Sequence, residues 1–147
     1  MKQPDNDKYF VFAATSLLAN RLQVIGSSVT GTITFKQWLV MLIIRDMPDG
    51  SSLTDIAEQH GSTRQNVKKL LDGLSRQGYV TLKQHESDKR SYAVFMTDKG
   101  ASDMQRISKV GGEFVESLFA GTDAEDVAGA RRVIMQLLIN LDEFDEE

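Results

Sequence analysis

Between Leu53 and Met96 the hydrophobic period changes once, and that change restricts the fold more than any other feature of the chain. Leu53, Ile56 and Ala57 recur at helical spacing, and their run closes at Gly61. Val67, Leu70, Leu71 and Leu74 then follow at i, i+3, i+4 and i+7, up to Gly78. Beyond Gly78 the period drops to two. Tyr79–Gln84 and Ser91–Met96 read as strands around a polar tip, His85–Arg90. Helix, tight turn, helix and hairpin, in that order, predict a winged helix-turn-helix whose second helix is the recognition helix.

The flanks read as helices. The spacing predicts a first helix from about Lys8 to Ile25, broken by Gly26–Gly31, and a second from Thr34 to about Ile44. After Thr97–Gly100 a long helix runs to about Ala120, and a last one from Asp123 to about Leu141. The acidic tail Asp142–Glu147 is expected to fray. Four capping boxes mark helix starts: Thr34 with Gln37, Ser52 with Asp55, Ser62 with Gln65, and Thr122 with Glu125. All glycines read as caps or turns. The expected fold class is mainly α with a small β-hairpin wing. A chain of 147 residues predicts a single domain, 1–147. Within it, 33–100 form the winged-helix lobe, while 1–32 and 101–147 form a dimerisation lobe. The terminal helices carry apolar stripes that a second copy of the chain would bury, so a homodimer is expected.

Several function classes drop out. The chain has no cysteine and only two histidines, His60 and His85, both read as surface residues. Disulfide, thiolate and zinc chemistry therefore have no basis. No nucleophile–base pair, phosphate-binding glycine loop or carboxylate cluster appears, so no enzyme, cofactor or metal is expected. The longest apolar run, Trp38–Ile44, is far shorter than the ~18–20 residues that span a bilayer. The apolar stretch Tyr9–Ala19 follows the acidic Asp5–Lys8, unlike a secretory leader. A cytoplasmic protein with no membrane partner is expected.

Charge points toward a partner. The formal net charge is −4, yet residues 61–100 hold eight basic and four acidic groups, a local +4 between acidic ends. One basic face on an acidic chain suits a phosphate partner. With Val67, Leu70, Leu71 and Leu74 facing the core, Gln65, Lys69, Asp72 and Arg76 point away, flanked by Arg64 and Lys68. The first turns thus present Thr63, Arg64, Gln65, Asn66, Lys68 and Lys69. These side-chain types contact base edges and phosphates of double-stranded DNA. At the hairpin tip Arg90, with Lys83 and Lys89 nearby, suits a minor groove. Asp88 is expected to hold the Arg90 guanidinium, because strand alternation would put both on one face. The competing reading is a winged-helix protein-interaction module without DNA binding, which would call for a neutral or acidic recognition face.

Leu53-Thr-Asp-Ile-Ala57, the run Gly61–Val80, Asp88-Lys-Arg90 and Met96-Thr-Asp-Lys-Gly100 together resemble the multiple antibiotic resistance regulator (MarR) family. The resemblance implies a homodimer with intertwined terminal helices. It further implies transcriptional regulation, usually repression, often relieved by a small aromatic or lipophilic acid. It carries DNA contacts onto Ser62 through Lys69, the wing arginine onto Arg90 and its supporting acid onto Asp88. Redox-sensing members use a reactive cysteine, and this chain has none. Tyr9, Phe12, Trp38, Met41 and Phe114 lie on helices that could bound an effector cavity. Apolar-face aromatics read more readily as core, so the ligand-binding residues stay unknown.

Overall fold

The computed structural model describes residues 6–145. The chain's two compact units are residues 1–112 and 113–147. The elements run α1 (Asp7–Thr30), α2 (Phe35–Asp46), α3 (Leu53–His60), α4 (Arg64–Arg76), β1 (Val80–Gln84), β2 (Tyr92–Met96), α5 (Asp98–Leu118) and α6 (Ala124–Asp145). Helices and hairpin follow the order expected from the sequence.

In the first unit, α2, α3, α4, the hairpin and the start of α5 share one core. Val40, Met41, Ile56, Val67, Leu71, Leu74, Val94 and Ile107 are fully buried there. Each aliphatic side chain removed from water contributes about 1.5–3 kcal/mol before entropy is counted. The hairpin pairs Val80 with Met96, Leu82 with Val94 and Gln84 with Tyr92. The loop before α3 extends the ladder: Gly50 N–H donates to the Val94 carbonyl at 3.0 Å, and Val94 N–H to the Ser51 carbonyl at 3.0 Å. The second half of the turn that matters most is Gly61, at φ 68°, which ends α3 in the left-handed conformation. Its N–H reaches back to the Glu58 carbonyl, and Ser62 N–H to that of Ala57. Only three residues then separate α3 from α4.

Several expectations need correction. The helix α1 does not break at Gly26; it continues to Thr30 and caps at Gly31. Gly26 lies against the Phe35 ring, where a Cβ would collide. Ser27 Oγ donates to the Gln23 carbonyl and accepts from Phe35 N–H, tying the start of α2 to α1. Here glycine and serine make close contacts inside a helix rather than ending it. Gly73, Gly100 and Gly111 do the same, packing against Gln37, the Tyr79 carbonyl and the Trp38 ring.

Of the four capping boxes, Thr34 with Gln37 closes in both directions. Ser52 accepts from Asp55 N–H at 3.0 Å. The third shifts by one residue: Thr63, not Ser62, caps α4 and accepts from Asn66 N–H at 3.2 Å. In the second unit the Thr122 hydroxyl donates to the Phe119 carbonyl at 2.7 Å, closing the turn before α6. The α6 helix continues through Asp142–Asp145 rather than fraying there, while residues 146 and 147 lie outside the described residues. Large apolar side chains stand exposed along α6, among them Ile134, Leu137, Leu138 and Leu141. Among the described residues no single helix is long and apolar enough to cross a membrane; α1 and α2 pass that test only as a pair bent by 77°.

Candidate nucleic-acid interface

The recognition helix is set by its buried stripe. Val67, Leu71 and Leu74 are fully buried, and Leu70 is half-buried. The opposite face follows from the helical period. Thr63, Arg64, Gln65, Asn66 and Lys69 are exposed at the first two turns. Ser62 is half-buried, and its hydroxyl takes a 3.4 Å hydrogen bond from the Asn66 amide.

Lys68 sits differently from its neighbours. It is half-buried, its ammonium 2.6 Å from the Asp72 carboxylate and 4.9 Å from the centre of the Tyr92 ring. The i, i+4 spacing of Lys68 and Asp72 was legible in the sequence; the Tyr92 contact was not, because it joins α4 to β2.

The wing tip, His85–Arg90, is wholly exposed. Its backbone is tied inward: His85 N–H donates to the Ser91 carbonyl at 2.9 Å, and Ser91 N–H to the Asp88 carbonyl at 3.0 Å. Gln84 Nε2 donates to the Lys89 carbonyl. Asp88 does not hold the Arg90 guanidinium as expected: its Oδ1 accepts from the Arg90 backbone N–H at 2.9 Å. Residues 88–90 form a turn rather than a strand. Strand alternation therefore does not apply to this pair, and an Asp closing its own turn two residues on takes its place.

The sequence-predicted residues meet in space. Arg64 Nη2 donates to the Arg90 carbonyl at 2.6 Å, joining two positions 26 residues apart. Two further cations cover aromatic faces of the hairpin: Lys83 lies 4.9 Å from the Phe95 ring, and Lys99 lies 5.1 Å from that of Tyr79. Among the described residues, Arg64, Lys69, Arg76, Lys83, Lys89, Arg90 and Lys99 form no ion pair. The face combines a helix N-terminus, amide side chains and uncompensated cations. Such a surface binds polyanions and can hydrogen-bond to base edges.

One residue departs from its sequence reading. His60, expected at the surface, is half-buried, and its Nδ1 has no partner among the described residues. Burial, aided by the charge of Lys36, holds its imidazole below its ordinary value of 6.5. Below that value the unfolded chain takes up a proton that the folded protein resists. Stability is therefore full above about pH 6.5, falls as pH drops toward the folded pKa, and levels off beneath it. Melting temperatures measured across that window should show a slope that His60→Gln flattens; an unchanged slope would assign it to other groups. Trp38 and Met41 are core residues, with Trp38 edge-on to Phe35 at 5.8 Å. Tyr9 and Phe12 are exposed, and Phe114 is half-buried. A separate apolar cleft of 540 Å³ lies between α1, α2 and α3, walled by Leu22, Phe35, Leu39 and Ile43, with Lys36 and His60 at its edge.

Residues 29–91 match the model of the MarR family. Over 68 residues the chain is 29% identical to the HTH-type transcriptional repressor YetL of Bacillus subtilis. That match covers 46% of this chain and spans only 41% of the relative. Solved structures agree over a longer stretch. A MarR protein from Peptoclostridium difficile superposes with a TM-score of 0.81 at 19% identity, over 97% of this chain and 92% of that one. The Mycobacterium tuberculosis regulator MosR, solved in complex with DNA, gives 0.75 at 20% identity, over 89% and 95%. At such identities the likeness shows the fold.

Proposed function

We propose that the chain, whose residues 29–91 match the model of the MarR family, is a MarR-family transcriptional regulator: a homodimeric repressor that binds double-stranded DNA sequence-specifically. The observation that carries this reading is the single face on which the start of α4 and the wing tip meet, with cations that no carboxylate neutralises. Ser62, Thr63, Gln65, Asn66 and Lys69 enter the major groove, with Lys69 on phosphate and the amides on base edges. Lys89 meets the flanking backbone, and Arg90 enters the minor groove, where narrow walls concentrate negative potential. MosR, which shares this fold, was solved in complex with DNA, and that supports DNA as the partner. The family regulates transcription and is not an enzyme family.

In this reading residues 33–100 are the DNA-binding lobe, while 1–32 and 101–147 are the dimerisation lobe. Its support is apolar exposure: Tyr9 and Phe12 are 68% and 78% exposed on α1, and α6 adds its own exposed leucines and isoleucines. Monomers rarely leave such surface wet, and C₂ pairing is the commonest way to cover it. The protein works in the cytoplasm. The repressor is released by a small aromatic or lipophilic acid; the cleft between α1, α2 and α3 has the size and apolar walls for one, with Lys36 to meet a carboxylate.

Selection of bound sequences from random duplex tests the proposal. It should enrich a pseudo-palindrome with half-sites about one helical turn apart, and sedimentation should give twice the 16.4 kDa chain mass. Enrichment should fall when candidate aromatic acids are added. A folded 16.4 kDa monomer, or a pool with no enriched sequence, would overturn it.

A further inference from the structure

We infer that Arg64 and Lys68 are positioning residues that brace the wing against the recognition helix, fixing the spacing between the two DNA-reading elements. Arg64 is exposed and Lys68 half-buried on the face proposed for DNA, and the side chains of both reach the hairpin. The Arg64 guanidinium donates to the Arg90 carbonyl at 2.6 Å, at the tip. One turn further along α4, the Lys68 ammonium lies over the Tyr92 ring at 4.9 Å, on the strand pair Gln84–Tyr92 next to the tip. Asp72, one turn further again, holds that ammonium at 2.6 Å. The row at 64, 68 and 72 has a spacing of four residues, so its members stack along one edge of α4. That edge faces the wing, while Gln65 and Lys69 face outward.

A hairpin needs such a brace. Two strands of five residues make a marginal sheet, and beyond Gln84 and Tyr92 the tip has its own turn, the Gln84 side chain and Arg64 to order it. A wing free to swing would have to be ordered on binding, which lowers affinity. Tied to α4 at its turn and at the strand pair beside it, the wing presents Arg90 at a set distance from the helix that enters the neighbouring groove. The charge on Arg64 also stays available to the phosphates around it, so the tie costs the face none of its potential.

The geometry stands without DNA, whereas its consequence for binding rests on the proposed function, and two measurements keep these apart. The first is backbone relaxation on the free, full-length protein. In Arg64→Ala, order parameters for residues 85–90 should fall below about 0.6 while those of α4 stay near 0.85. Arg64→Lys, which keeps one donor, should recover part of the loss. Lys68→Ala should loosen the strand around Tyr92. Wing order unchanged in Arg64→Ala overturns the brace, whatever the protein binds.

The second is a double-mutant cycle on the selected duplex. Arg64→Ala should weaken binding about five- to tenfold in the native background and have little effect beside Arg90→Ala. Lys69→Ala, which touches no wing residue, should cost the same in both backgrounds. Losses that simply multiply for Arg64 and Arg90 would make Arg64 an independent contact and overturn the brace. If the native protein binds no duplex, the DNA-binding reading falls while the relaxation data still judge the brace.

Discussion

Replacing Arg90 with alanine is expected to weaken operator binding by about 150-fold or more, the larger of two effects expected at the wing. A charge-assisted hydrogen bond contributes about 1.5–3 kcal/mol, and a dimer loses it at two wings. Asp88 gives the sharper comparison. Its carboxylate accepts from the Arg90 backbone N–H and so sets the turn that aims the side chain. Asp88→Ala removes an anion near phosphate, which Coulomb attraction alone would reward. It should nevertheless weaken binding, because the turn loses its acceptor. Asp88→Asn keeps the acceptor and drops the charge, so it should bind as tightly as the native protein or more tightly. Fluorescence anisotropy on one operator at fixed salt separates the three variants. Tighter binding by Asp88→Ala would return Asp88 to the role of a bystander.

Gly100→Ala is expected to lower stability by about 3 kcal/mol, with a fall in Tm of about 10 °C. The first turn of α5 is fastened to the end of α4 through two residues. The Thr97 hydroxyl donates to the Gly78 carbonyl at 2.5 Å and accepts from Gly100 N–H at 3.0 Å. That fastening draws Gly100 so close to the Tyr79 carbonyl that a Cβ would collide with backbone. Backbone cannot rotate aside, so the helix would have to shift. Gly112, also in α5, meets nothing within 4 Å. Alanine there should stabilise by about 0.5–1 kcal/mol, since it adds helix propensity without a clash. Opposite signs at two glycines of one helix, read by thermal melts, distinguish close packing from propensity. Equal effects would remove the packing argument.

The Thr97-x-x-Gly100 motif marks how far sequence reasoning reached. It was visible as part of a family resemblance, but its reason is a contact between segments. The same holds across the chain. Periodicity located α3, α4 and the hairpin, because a buried face must repeat with its own element's geometry. Thr34 and Ser52 were legible as caps, because a cap joins groups three residues apart. The start of α4 slipped from Ser62 to Thr63, since both hydroxyls offer a cap and only the path out of the Gly61 turn chooses between them. Gly26 and Ser27 read as a break, because their partner Phe35 comes eight or nine residues later.

What the sequence by itself determined is therefore local: which stretches are helix or strand, which stripe each one buries, and that residues 61–100 gather positive charge on an acidic chain. What only the tertiary structure decided is pairwise and distant. Arg64 reaches a carbonyl 26 residues away, His60 is half-buried near the charge of Lys36, and Trp38 lies against Gly111. Periodicity and capping depend on neighbours within a turn or two, so a string of residues records them. Such contacts depend on how finished elements pack, and no residue's neighbours along the chain encode that distance.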